Sequence, residues 1–325
     1  MNSRLITLLF HFVVLFLVFP SGLSGQNDEP EQARCGIYLM NLYDLNVSEY
    51  SFYADFYVWM KWKGGRDPMN MEFVNAVEKW GFTQVDFNEE PQVLEDGSSY
   101  NGMRIEGRFF HSFDLRRFPL DRHELDIRIE NVDYPVDSLV YVPEMEGDLF
   151  RKDFTIPGWQ VEGARIEAQS NFYNTDFGQS GADASTYSNF TFKLIISRPL
   201  SYFLLKLMLP LLVVITASLG GLVIHPNHID ARISLPIGGL LSCVFLQQSY
   251  SSALPDVGYM VLMDKIYLLS YLLIAAVMLR IIVVGNRLNR KKGNDPLAYF
   301  RRDRRLALYF FLFFLVGGGL LVLIG

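Results

Sequence analysis

The sequence predicts a membrane protein in two parts: an exported, immunoglobulin-like all-β sandwich followed by an all-α domain of four transmembrane helices. Three observations carry this. Apolar residues crowd into Leu5–Phe19 and then into four runs after Leu200. The stretch between them is built of short segments in which apolar and polar residues alternate. A basic block separates the last two apolar runs. With 325 residues, 50% hydrophobic and 20% charged, the chain mixes membrane and soluble composition and is long enough for one large or two moderate domains.

Met1–Gly25 has the layout of a secretory signal: Arg4, the apolar core Leu5–Phe19, then Pro20-Ser-Gly-Leu-Ser-Gly25. The other reading is a short anchoring helix, but the core is short for a bilayer span. Cleavage near Gly25 would leave Gln26 first. Residues 26–198 form the expected sandwich. In His123–Glu130, Leu125, Ile127 and Ile129 point one way and Asp126, Arg128 and Glu130 the other. Tyr53–Trp62 sets Ala54, Phe56, Val58, Met60 and Trp62 against Tyr53, Asp55, Tyr57, Trp59 and Lys61, and Phe190–Ile196 repeats the pattern. Glu95-Asp-Gly97, Asn101-Gly102 and Ile156-Pro-Gly158 are turn signals between strands. Glu72–Trp80 is open to a short helix.

Residues 199–325 hold four spans, about 201–224, 233–251, 259–284 and 307–324, each able to cross about 30 Å of hydrocarbon. Arg287, Arg290, Lys291, Lys292, Arg301, Arg302, Arg304 and Arg305 lie between the third and fourth. The positive-inside rule makes that link, 285–305, cytoplasmic and the sandwich external. An exported N-terminal domain requires the same orientation.

The second span carries a polar stripe. Asp230, Ser234, Gly238, Leu241, Phe245, Gln248 and Ser252 follow at steps of three and four and share one helix face. A lone helix facing lipid has no use for such a stripe. Several copies around an axis would enclose a water-filled path with Leu241 and Phe245 as its narrow apolar gate. An ordinary packing role for those two side chains is the plainer reading. Asp230 also suits a helix N-cap. Pro236, followed by Gly238-Gly239, leaves the inner third of the helix open to a bend.

Other classes fall away. Cys35 and Cys243 are the only cysteines, one in the exported part and one in a span, so no disulfide joins them. A net charge of −6 argues against a nucleic-acid partner. No nucleophile, zinc or phosphate-loop signature suggests an enzyme, and no cofactor is implied. Glu144, Glu146 and Asp148 around Gly147 are a candidate for calcium, the other reading being solvated charge.

The order of these parts resembles the pentameric ligand-gated ion channels, the Cys-loop receptor superfamily, and specifically its prokaryotic branch. The strongest local feature is Phe118-Pro-Leu-Asp121 within Phe113–Ile129, similar to the loop at the base of that family's sandwich. His111 and Leu125 stand where animal members place the disulfide pair. Arg198-Pro199, Pro210, Leu254-Pro255 and the short basic link are further matches, and the likeness runs from about residue 35 to the end. It implies a homopentamer in the bilayer, with Asp230 in the inner charged ring, Arg232 in the basic position beside it and Leu241 at the central gate. It implies an agonist between subunits, with aromatic candidates Phe73, Tyr134, Phe172, Tyr173, Phe177 and Tyr187 on one face and Tyr57 or Trp59 on the other. An aromatic box suits a small amine; a proton or divalent cation is the other agonist class. It places Asp44, Glu49, Phe118, Pro119, Asp121, Arg198, Pro255 and Asp256 at the junction that couples the two parts. The competing function is a sandwich that binds or adheres and is merely anchored, which would not need the polar stripe.

Overall fold

The computed structural model describes residues 29–77, 81–175, 177–178, 185–290 and 295–324. The expected signal segment lies outside them.

Among the described residues, ten strands come first. They are β1 (Glu31–Asn46), β2 (Ser51–Trp62), β3 (Met71–Phe73), β4 (Thr83–Asp86), β5 (Gln92–Val93), β6 (Ser99–Phe110), β7 (Arg122–Asn131), β8 (Leu139–Pro143), β9 (Gln160–Tyr173) and β10 (Ser185–Ser197). One sheet runs β4-β6-β2-β1-β8, with β5 also on β6; the other runs β3-β7-β10-β9. All pairings are antiparallel except β1 with β8.

The alternation decides which side chains go inside. Phe56, Val58 and Met60 of β2, Leu125, Ile127 and Ile129 of β7, and Phe190, Phe192, Leu194 and Ile196 of β10 are buried in one core. Two local expectations fail. Glu72–Trp80 is not helical over its described part: it supplies β3 and a turn, and the backbone of Glu72 pairs with Glu130. Asn101-Gly102 is not a turn but the start of β6, where Gly102 lets strands close up. A Cβ there would stand 2.5 Å from the Phe87 ring and 2.8 Å from the Val58 carbonyl oxygen. Glycine at that site answers to close approach, not to chain reversal.

Four helices follow, each long and apolar enough to cross a membrane: α1 (Tyr202–Val223), α2 (Ile229–Ser251), α3 (Leu262–Arg290) and α4 (Pro296–Ile324). In α1 a wide π-type segment, Tyr202–Met208, precedes Pro210, and the Leu209 N–H bonds back to the Leu204 carbonyl. The wide turn absorbs the hydrogen bond that proline cannot make. Three of the four helices run past one end of the span read from hydropathy. α3 continues past Val284 to Arg290 and α4 begins at Pro296 rather than near Ala307. Most of the basic link is therefore helical, because hydropathy marks the part that suits lipid whereas a helix continues wherever its backbone bonds persist.

Pro236 does not break α2. It leaves the Arg232 carbonyl without its usual partner four residues on. Gly221 of α1 faces that carbonyl, and a Cβ at Gly221 would come within 2.5 Å of it. The small residue allows α1 and α2 to pack tightly at the proline.

Candidate functional site

Three regions bear on function: the exposed face of α2, the junction beneath the sandwich, and an aromatic cleft at the edge of the β7–β10–β9 sheet.

Helix α2 has two faces. Asp230, Ser234, Gly238, Leu241, Phe245, Gln248 and Ser252 are all exposed within the subunit, and Leu241 and Phe245 are 58% and 66% accessible. Arg232, Pro236, Gly239, Cys243 and Tyr250 are buried on the other side against neighbouring helices. Two bulky apolar side chains thus share an open face with an acid, serines and a glutamine. Asp230 is not the N-cap. The helix starts at Ile229, His228 holds the cap position without a side-chain cap bond, and Asp230 sits in the first turn. There it favours the positive end of the helix dipole without being consumed by it. Arg232 turns toward the neighbouring helices: its guanidinium bonds to the Gly221 carbonyl at 3.0 Å and to Asp303 of α4 at 2.5 Å. Gln247, beside the stripe, accepts the Tyr271 hydroxyl of α3.

The junction is built around Arg198, the last residue before the membrane domain. Its guanidinium lies 2.9 Å from Asp121, which also holds His123 at 2.9 Å. It stacks over Trp159 at 4.1 Å and Phe118 at 4.9 Å. Phe118 in turn stacks on Tyr250 of α2 at 6.0 Å, and the Tyr250 hydroxyl donates to Asp264 of α3. The Leu262 N–H bonds to the Arg116 carbonyl, and the Tyr259 hydroxyl accepts the Leu115 N–H. The segment Leu115–Asp121 therefore clamps the sandwich to the ends of α2 and α3, through Phe118 on Tyr250 and through the Leu115 and Arg116 backbone. Asp44 pairs with Arg108. Glu49 is exposed on the β1–β2 loop, whose Ser48 lies 3.5 Å from the Ala253 carbonyl oxygen. Asp256 lines a cavity of about 430 Å³ with Tyr50, Asp114, Arg116 and Tyr259, next to half-buried Pro255. A second imidazole–carboxylate pair, His111 with Asp126 at 2.9 Å, stands nearby, and Arg128 also bonds Asp126.

The cleft, of about 420 Å³, is lined by Glu72, Val74, Glu130, Asn131, Val132, Tyr173, Phe177 and Tyr187. The Tyr173 ring is 5.6 Å from Phe177 and 6.0 Å from Tyr187. Burial, and then the hydrogen bond to Glu130, push the Tyr173 phenol up to about 12. Glu130 is 5% exposed. Among the described residues its side-chain partners are neutral donors: Tyr173 at 2.8 Å, Asn189 at 2.8 Å, and Asn171. A carboxylate that is desolvated but lacks a cation, beside three rings, is a strong attractor for positive charge.

Of the aromatic candidates, the structure brings Tyr173, Phe177 and Tyr187 together. Phe73 is not with them: strand alternation turns it inward among Phe56, Phe82 and Phe109, and its neighbours Glu72 and Val74 face the cleft instead. Tyr134 packs on the core. Phe172, one residue out of phase with Tyr173, is 65% exposed and does not line the cleft. Tyr57 and Trp59 lie on the other sheet, the first beside Phe87 and under Arg104, the second donating to Glu144. Sequence reading passed over Glu130, counting it only as the polar side of β7; its place beside Asn131 at the strand end was the available signal.

The calcium candidate is corrected. Glu144 is held by Lys61 at 2.9 Å and Trp59 at 2.5 Å, Asp148 pairs with Lys152, and Glu146 is exposed. Burial pushes the Glu144 carboxyl up, but those two donors outweigh it and hold it below the usual range. Among the described residues no three potential ligands gather into a metal site.

Comparison with known proteins agrees with this architecture. A proton-gated ion channel of Gloeobacter violaceus is 23% identical over 266 residues, 75% of this chain and 70% of that protein. A glutamate-gated chloride channel of Drosophila melanogaster is 24% identical over 170 residues, 52% of this chain and 35% of the relative. A gamma-aminobutyric acid receptor subunit beta of Caenorhabditis elegans is 23% identical over 200 residues, 61% and 34% of the two chains. The chain thus spans about a third of the length of these two animal relatives. No family model matches. A β-sandwich followed by four membrane-length helices is the fold of the pentameric ligand-gated channels. The resemblance read from the sequence is borne out: the chain's relatives are ligand-gated ion channels of the Cys-loop superfamily, not enzymes.

Proposed function

We propose that five copies of this chain form a ligand-gated, cation-selective channel of the prokaryotic type in a cell membrane, with the sandwich outside and segment 285–305 in the cytoplasm. In this reading α2 lines the pore, Asp230 forms the ring at its inner mouth, and Leu241 and Phe245 form the gate. The observation that carries it is the division of charge on α2. Asp230 stands on the open face while Arg232, two residues on, is neutralised inside the helix bundle. A ring of carboxylates concentrates cations and repels anions. Chloride channels among the relatives make selectivity the point to test first.

The agonist is a small cation, a primary or quaternary amine being the chemistry that suits Tyr173, Phe177, Tyr187 and buried Glu130. Tyr57 and Trp59 of the neighbouring subunit would close the site. A proton is the second reading, favoured by the two imidazole–carboxylate pairs at the junction. Purified protein would be examined by native mass spectrometry and then by bilayer recording against amines, pH and calcium. Five-subunit particles whose currents follow the cation gradient are expected. A monomer or dimer, or currents that track chloride, would reject the assembly or the selectivity respectively.

A further inference from the structure

Asp230 and Arg232 are opposite charges two residues apart on α2, about 200° apart around its axis. Arg232 is 1% exposed and Asp303 of α4 is fully buried. One Asp303 oxygen holds Arg232 at 2.5 Å; the other holds Arg280 of α3 at 2.8 Å. The Gly221 carbonyl of α1 takes the remaining Arg232 bond, at 3.0 Å. A single carboxylate from the last helix therefore fastens guanidiniums from two others, next to the inner end of the helix whose open face carries Asp230.

We propose that Asp303 is a positioning residue for ion selectivity: it holds Arg232 away from the pore so that Asp230 is the unopposed charge at the inner mouth. This rests on the reading that α2 lines the pore. Without the Asp303 charge, two guanidiniums would face each other with no counter-ion, which is unfavourable in a desolvated site. Arg232 has a long, flexible stem, and Asp230 is the acid two residues away on the same helix. Its departure would place a cation beside every Asp230 and weaken the cation preference of the mouth. The residue that sets this preference would then lie on the helix most distant in sequence from the pore helix.

The test compares reversal potentials of reconstituted pentamers in a sodium chloride gradient. Asp303→Asn should lower the sodium-to-chloride permeability ratio several-fold relative to wild type. Arg232→Gln should not lower it, and the double variant should match Arg232→Gln. A wild-type ratio in Asp303→Asn, or the same fall with and without Arg232, overturns the proposal. A structural disturbance alone would reduce current without this dependence on Arg232. Because variants are compared with one another, a wild-type channel that follows chloride would sink the cation reading and leave the shift measurable. If Asp303→Asn does not assemble, Arg232→Cys keeps Asp303 paired with Arg280, and the native Cys35 and Cys243 are buried. A cationic methanethiosulfonate applied from the cytoplasmic side should block Asp230→Cys and spare Arg232→Cys. Equal block of both overturns the proposal.

Discussion

Arg198 and Asp121 join the two halves of the molecule through a contact of 2.9 Å, with the Asp121 side chain 1% exposed and the arginine plane capped by Trp159 and Phe118. Breaking such a buried pair from one side leaves an uncompensated charge and costs about 3–5 kcal/mol. Arg198→Ala should therefore lower the melting temperature and abolish agonist-evoked current in whatever protein still assembles. Arg198→Lys keeps the charge but loses the planar stack, and should fall between. Melting curves and current per assembled channel check this. A wild-type melt and dose response in Arg198→Ala would remove the pair from the coupling route.

Much of this junction was legible before the structure. Strand alternation gave the sandwich and hydropathy the helices, while only the family resemblance put Phe118-Pro119-Leu-Asp121 at the base of the sandwich. The partner of Arg198 was not legible, because several acids stand at suitable places and only the fold brings Asp121 within reach. Asp303 was hidden for a related reason: it sits within Arg301-Arg-Asp-Arg-Arg305, and on composition alone a single acid disappears into a basic run. Helical phase is what turns Asp303 inward and leaves Arg301, Arg302, Arg304 and Arg305 exposed. Phe73 failed as a cleft residue through the opposite difficulty. An aromatic in a three-residue strand has no alternation long enough to say which way it faces.

The proposed cation selectivity rests on the open placement of Asp230. Asp230→Ala should lower the cation-to-anion permeability ratio or the single-channel conductance several-fold, with little effect on stability, since Asp230 is exposed and is not the N-cap residue. Reversal potentials and unitary currents in asymmetric salt are the measurement. Unchanged values would take Asp230 out of the conduction path.

Leu241 and Phe245 test the gate. Leu241→Ser should wet the constriction and stabilise open states, because a narrow polar ring no longer expels water. A bias of only about 1.4 kcal/mol toward opening lowers the half-maximal agonist concentration about tenfold. Resting leak and the dose response read this out. An assembled Leu241→Ser channel with wild-type values for both would move the gate elsewhere.

The aromatic cleft makes a prediction about charge. Glu130→Gln keeps the size of the group but removes the carboxylate that Tyr173, Asn189 and Asn171 surround. A hydrogen bond to a charged group contributes about 1.5–3 kcal/mol, so affinity for a cationic amine should fall by about ten- to a hundredfold. A neutral ligand of the same shape should be little affected. Calorimetric titration of both ligands separates lost charge from lost structure, and equal losses for the two would argue against a cation site.

Acid stability can be assigned in part to Asp126, whose side chain is 8% exposed between His111 and Arg128. Burial pushes this carboxyl up, but the His111 bond and the Arg128 guanidinium outweigh burial and hold it below the usual value. A carboxyl whose folded value is depressed contributes stability above its unfolded value of about 3.9, and that stability is lost as pH falls through the folded value. The melting temperature should therefore be insensitive to Asp126 ionisation above about pH 5 and should decline below about pH 4. Asp126→Asn should melt lower at neutral pH and lose part of the acid-side decline, so the two curves converge as pH falls. The difference between the curves isolates this residue from Glu144 and Glu167, which are also held low. Parallel curves over the whole range would show that the Asp126 charge contributes nothing to the fold.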